Sequence, residues 1–242
     1  DETNRLLKET EQRTAELSVI NSVQEGLAKE LDFRGIYNLV GDRLCSLFPD
    51  SQTLVIRTFN LDKSLEQFQF AIEKGIRLEI EPRPLNWANR QLLISKQPLL
   101  INENYLQTAM KYGGTGVTKG LPPKSAIFVP MIVGEIVKGS ISLQNVDREN
   151  AFTESDVRLL TTVTNSMSVA LENARLFDET NKLLDETKQQ AIELSIINTV
   201  GDGLAKQLDF QSIVDLVGEK IIEIFNAHAV KIGRASCMER VY

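Results

Sequence analysis

Histidine is almost missing from this chain: one residue, His228, in 242, and cysteine is hardly commoner, with only Cys45 and Cys237. The two thiols form neither a CxxC spacing nor a disulfide framework, so a zinc site or a Cys-His nucleophile has almost no raw material. No apolar run approaches the ~20 residues that a membrane-spanning helix needs, and Asp1 opens neither a basic stretch nor the apolar core of a signal peptide. Lysine and arginine are scattered singly, and the net charge of -6 leaves no basic patch for nucleic acid or an anionic membrane. These absences predict a cytoplasmic segment without metal, nucleic-acid or membrane contacts. What is present, 42 % hydrophobic and 25 % charged residues, is globular composition that can bury a core.

The strongest positive signal is an internal repeat. DETNRLLKETEQRTAELSVINSVQEGLAKELDF, from Asp1, returns as DETNKLLDETKQQAIELSIINTVGDGLAKQLDF, from Asp178, at an offset of 177 residues. Aligned without gaps, Asp1–Phe48 and Asp178–Phe225 agree at 27 of 48 positions. A period this long is a whole domain plus its linker, so the chain reads as a segment of a tandem array, with Asp1 expected to follow the end of an earlier domain. The expected parts are a helical linker at 1–30, a complete domain at 31–177, a second linker copy at 178–207 and the start of a second, truncated domain at 208–231. The tail at 232–242, IGRASCMERVY, breaks the repeat and resembles translated sequencing-adapter DNA; it is expected to be non-native. Within the repeat Cys45 aligns with Ile222, which marks Cys45 as an apolar packing position.

Periodicity supplies the elements. Asp32 stands as an N-cap before the amphipathic FRGIYNLVGDRLCSLF, which ends at Pro49. TLVIRTFN and LEQFQFAIEKG follow as strands, then a helix in PLNWANRQLLISKQ and a short strand in PLLIN. A long connection from Glu103 to Pro123, with at most one helical turn, leads to two strands that flank a tight hairpin at Gly134. Thr153 and Asp156 form a capping-box-like helix start, and Gly139, inside the last strand, suggests close approach of a helix. The element order is that of a sheet-centred α+β fold.

The run from Ser125 to Phe177 resembles the C-terminal half of a GAF domain. It carries VPM before the Gly134 hairpin, Gly139 in the last strand, AFTESD opening a helix and ALENARLF closing it. With the preceding elements the resemblance covers about 31–177. It implies a GAF-like antiparallel sheet flanked by helices, with long coiled-coil-type linker helices at both ends. It also implies a non-catalytic sensory or regulatory module of a bacterial-type signalling protein. Such a module would relay a signal through its linkers to an output domain outside this sequence, a histidine kinase or nucleotide cyclase by analogy. The alternatives are a structural dimerisation module without ligand and, less favoured, a cyclic-nucleotide binder. Asn145, Phe152 and Asp156 fit the spacing of the cyclic-nucleotide signature, but Val146 and Val157 stand where it has Lys and Glu. A bilin site would want a cysteine in the domain's later half and a haem site a histidine; the domain has neither.

No cofactor is implied. GGTGVTKG, from Gly113 to Gly120, fits neither phosphate-loop spacing and reads better as a pocket lid. Trp87, Tyr105, Met110, Tyr112 and Phe128 are the candidate lining of an apolar pocket for a small, mostly uncharged molecule, with ordinary core packing as the competing reading of each. Leu160, Val163, Met167, Ala170, Ala174, Phe177, Asn181 and Leu184 alternate spacings of three and four, the seam of a parallel homodimer in which Asn181 would fix register. The same stripe could instead pack on its own domain. Beyond Leu184 its phase slips.

Overall fold

The computed structural model describes residues 17–18, 20–30, 32–49, 51–114, 122–205 and 210–225. Most of the first linker copy, residues 115–120 of the expected lid and the tail at 232–242 lie outside them. The chain divides into two compact units, Asp1–Phe177 and Asp178–Tyr242.

In the first unit, residues 20–29 form helix α1 and Phe33–Leu47 helix α2. Asp32 caps α2: its Oδ2 accepts the Gly35 N–H at 2.9 Å, satisfying one of the donors that a helix start leaves without a partner. Ile36, Tyr37, Val40, Gly41 and Leu44 are buried on one stripe of α2. At Gly41 an added Cβ would lie 2.2 Å from the Phe70 ring, so glycine lets a sheet aromatic reach the helix backbone. Cys45 packs at the edge of this core; burial, then the Asp42 charge, pushes its thiol pKa up against the opposing pull of Arg77.

Seven strands follow: β1 (Thr53–Asn60), β2 (Leu65–Glu73), β3 (Ile76–Arg77), β4 (Arg83–Pro84), β5 (Leu99–Ile101), β6 (Ser125–Val133) and β7 (Ile136–Asn145). They make one antiparallel sheet in the order β3-β2-β1-β7-β6-β5, with β4 also paired to β2. Gly134, at φ +62, opens the two-residue turn between Val133 and Ile136, where a positive φ matches the twist of the strands. The long connection holds α4 (Tyr105–Lys111), while α3 (Trp87–Ser95) precedes β5.

Helices cover both faces of the sheet, which is why β6 is buried along most of its length. Ile127, Val129 and Met131 face α1, α2 and the start of α5 (Glu154–Ala205), whereas Ala126 and Phe128 face α3 and α4. Gly139 does mark a close approach, but to a neighbouring strand and not to a helix. Its added Cβ would lie 2.1 Å from the Arg57 carbonyl oxygen and 2.2 Å from Met131 Cε.

Helix α5 opens with the reciprocal bonds of a capping box: the Thr153 N–H donates to Asp156 Oδ2 at 2.7 Å and the Asp156 N–H to Thr153 Oγ1 at 3.2 Å. The expected dimer seam needs correction in its first half. Leu160, Val163, Met167 and Ala174 are buried in the domain's own core, with Ala170 packed against it, beside Val23 and Leu27 of α1. A stripe at this spacing specifies one face, and the sheet and α1 already cover it. Of the seam residues only Phe177, Asn181 and Leu184 are exposed.

The second unit comprises the rest of α5 and helix α6 (Phe210–Phe225). Leu183, Leu184, Ile192, Leu194 and Ile197 are exposed on its part of α5. No helix among the described residues is long and apolar enough to cross a membrane.

Candidate functional site

The face of the sheet under α3 and α4 carries both an aromatic cluster and a polar network. Asn86 caps α3, its Oδ1 accepting the Asn89 N–H at 2.9 Å, and this start buries Trp87, Ala88 and Asn89 in the first turn. Trp87 is the hub of the rings. Tyr105 meets it edge-on at 5.6 Å, Phe128 edge-on at 6.3 Å, and Tyr112 lies parallel to it at 6.1 Å between centroids. Gly114 closes against the same indole, where an added Cβ would be 2.5 Å from Trp87 Cδ1. Four of the five expected pocket residues are therefore together. Met110 is not: the next position around α4 from buried Ala109, it is 67 % exposed.

Beneath the rings lie residues that the sequence reading passed over. Arg57 (β1), Glu66 (β2), Asn89 (α3), Ser140 and Ser142 (β7) are all buried. Arg83 donates from Nε to Glu66 Oε1 at 2.6 Å, and Asn89 Nδ2 donates to Glu66 Oε2. Ser140 Oγ donates to Asn89 Oδ1, and Arg57 Nη1 to Ser142 Oγ, each at 2.8 Å. The Phe68 ring lies under both guanidinia, 5.3 Å from that of Arg57 and 4.9 Å from that of Arg83. The network ties α3 to four strands of the sheet, β1, β2, β4 and β7.

Burial sets the ionisation of this face. Loss of water pulls the Arg57 guanidinium down to about 10, with Glu66 opposing the fall and Arg83 adding to it. The Tyr105 phenol is pushed up to about 12 by burial, against the charge of Arg57 and a hydrogen bond with Trp87. Tyr105 is thus a neutral donor at physiological pH beside a buried cation. A signal for these residues was present in the sequence: a lone Arg inside TLVIRTFN, and Ser140 and Ser142 alternating with Ile141 and Leu143. Among the described residues, no three or more His, Cys, Asp or Glu side chains gather as a metal would require.

An antiparallel sheet in this order, with α3 and α4 over one face and α1, α2 and α5 over the other, agrees with the sequence profile of the GAF domain, which matches residues 30–172. The chain belongs to the GAF domain family. Among solved structures it is similar to the GAF domain of an Acinetobacter phosphoenolpyruvate-protein phosphotransferase (11 % identity, TM-score 0.53, 68 % of this chain and 98 % of that one). It is also similar to free methionine-R-sulfoxide reductase from Neisseria meningitidis in complex with its substrate (15 % identity, TM-score 0.54, 66 % and 90 %). A third is a far-red-absorbing dark state with bound biliverdin IXa (19 % identity, TM-score 0.50, 65 % and 99 %). At these identities the likeness is one of fold. No curated protein matches the chain.

The three positions that fit the cyclic-nucleotide signature have fold roles in this GAF domain. Asn145 Oδ1 accepts the backbone N–H groups of Asp147 and Arg148 at 3.0 and 2.9 Å. Phe152 is in the core and Asp156 completes the α5 cap.

Proposed function

We propose that this GAF domain is a non-catalytic sensory module that takes a small molecule between the sheet and α3–α4. The observation that carries the reading is the ring cluster around Trp87 set over a buried network of Arg57, Glu66, Asn89, Ser140 and Ser142, to which the half-exposed Arg83 is joined. Convergent polar groups under an apolar lining are how ligand sites are built, whereas a core made for stability gains little from buried charge. That the fold can hold small molecules is seen in the substrate complex of the reductase and the bound biliverdin of the far-red protein. The non-catalytic assignment draws on Cys45, which packs with the other face of the sheet, away from Trp87. Denaturing mass spectrometry of the purified chain, with a thermal-shift screen of metabolites, tests the reading. A bound or stabilising small molecule is expected; an empty protein that no compound stabilises would overturn it. The competing reading, a relay without ligand, is favoured by the Trp87–Tyr112 stack and by Gly114, which fill the space over the indole.

The output would pass along α5 to an effector domain outside the sequence, a kinase or cyclase of a cytoplasmic, bacterial-type signalling protein. In this reading, residues 178–207 are the next linker and 208–231 the start of the next GAF domain. The relay is a parallel homodimer. With Leu160 to Ala174 committed to the domain's own core, the seam uses the neighbouring exposed stripe Val169, Leu176 and Leu183, at seven-residue spacing, with Phe177 and Leu184 along its edge. Light scattering and disulfide trapping of Thr180→Cys, which falls inside this stripe, test it. A monomer at tens of micromolar, or a dimer that never traps at Thr180, would remove the parallel seam.

A further inference from the structure

The buried network has one defect. Among the described residues, Arg57 Nε is the one buried side-chain nitrogen or oxygen without a hydrogen-bond partner. The side chain is 4 % exposed, and its nearest counter-charge, Glu66 Oε1, is 3.9 Å from Nε, too far for a hydrogen bond. Glu66 does not close the gap: Oε1 stays 3.9 Å from Nε while it accepts from Arg83, and Oε2 accepts from Asn89 Nδ2 and the Asn86 N–H. Asn89, Ser140 and Ser142 bond to other partners and none of them reaches Nε. An N–H left bare in a water-excluded interior costs the full desolvation of that group, and here the group is charged.

The charge count points the same way. One carboxylate, Glu66, faces two guanidinia, Arg57 and Arg83. Arg83 is 46 % exposed along its side chain and can be solvated; Arg57 cannot. The charge and the donor in deficit are therefore on the same side chain, and the rings of Trp87, Tyr105 and Phe128 cover that face of the sheet. A guanidinium presents its Nε edge as two parallel N–H vectors, the geometry that matches two coplanar oxygens of a carboxylate. A single negative charge balances the surplus, whereas a phosphate dianion would exceed it and bring oxygens that no donor meets.

The geometry points to a ligand that is a small monocarboxylate with an apolar body, its carboxylate on the Nε edge of Arg57 and its body against Trp87, Tyr105 and Phe128. This rests on the small-molecule reading above and replaces the mostly uncharged ligand expected from sequence. Tyr105, whose ring meets Trp87 edge-on and whose phenol is protonated at neutral pH, is a second donor for the carboxylate.

Trp87 is the sole tryptophan of the chain, so its emission reports on this site directly. The test titrates the full chain with short straight-chain and phenyl-substituted monocarboxylates, each paired with its primary amide, at neutral pH and constant ionic strength. At least one acid is expected to shift Trp87 emission saturably and to bind about tenfold or more tighter than its amide. In Arg57→Lys, which keeps the charge but loses the fork, the acid-to-amide ratio should collapse towards one; a ratio that survives the substitution would overturn the assignment to Arg57. Amides that bind as well as their acids would overturn the carboxylate assignment and leave a small-molecule site standing. Silence from both series also overturns it, and the sensory reading is then judged by the co-purified molecule alone. The acid–amide comparison needs no variant, so a failure of Arg57→Lys to fold does not protect the inference.

Discussion

Glu66→Gln should be the most damaging isosteric change in the domain. Glutamine keeps the shape and one acceptor oxygen, but it removes the one carboxylate among the described residues that pairs with Arg57 and Arg83, and its amide nitrogen must face donors from Arg83 or Asn89. Arg83, half exposed, can turn to water; Arg57, 3 % exposed, is left as an uncompensated buried cation. Breaking one side of a buried pair costs about 3–5 kcal/mol, a large share of the roughly 5–15 kcal/mol that holds a domain folded. Arg83→Gln, the opposite truncation of the same contact, should cost about 1 kcal/mol because the partner left behind still has Asn89 and the Asn86 N–H. Adding Arg57→Met to Glu66→Gln should recover part of the loss, since the orphaned charge leaves with it. Urea unfolding followed by Trp87 emission measures all three and reports on the first unit, where the sole tryptophan lies. Glu66→Gln within about 1 kcal/mol of the parent, or less costly than Arg83→Gln, would refute the reasoning.

Three further outcomes follow from other parts of the chain. Gly139→Ala should cost about 2–4 kcal/mol, seen as a lower unfolding midpoint, because its Cβ meets the Arg57 carbonyl at 2.1 Å and sheet backbone cannot step aside. Gly201→Ala, where an added Cβ meets nothing within 4 Å, should instead firm α5 by about 1 kcal/mol; hydrogen exchange at the neighbouring amides would slow, and faster exchange would contradict the continuous helix. Tyr37 and Tyr105 are both raised to about 12 by burial, so an ultraviolet alkaline titration should show two of the four tyrosines resisting ionisation until about that pH. Because their folded pKa values lie above the unfolded value of 10.0, their stabilisation is full below pH 10 and is lost as pH rises towards 12, at about 2–3 kcal/mol each.

What could be read from the sequence was whatever is decided locally. The Asp32 cap, the Thr153–Asp156 box and the Gly134 turn depend on residues three or fewer apart, and all three form. Strands β3 and β4, two residues each, are too short to leave a period. The network under Trp87 joins positions 57, 66, 89, 140 and 142, which meet only after β1 has paired with both β2 and β7. The stripe from Leu160 marked the right face of α5, but periodicity says which residues share a face and nothing about what covers it. Met110 shows the same limit on a smaller scale, because a short helix places neighbouring residues on different sides.

The sheet itself is the partition between the ring cluster and the helices that lead away from it. β7 is one residue thick, and along it Ser140 and Ser142 belong to the network while Ile141 and Leu143 sit in the core with Leu160, Val163 and Met167. Any strain imposed at Arg57 or Ser142 is therefore delivered to the seat of α5 by the next side chain in sequence, with no intervening loop to absorb it. Movement of the start of α5 would press back on the network through the same residues, so a ligand held at Arg57 as proposed would be coupled to the seat of that helix.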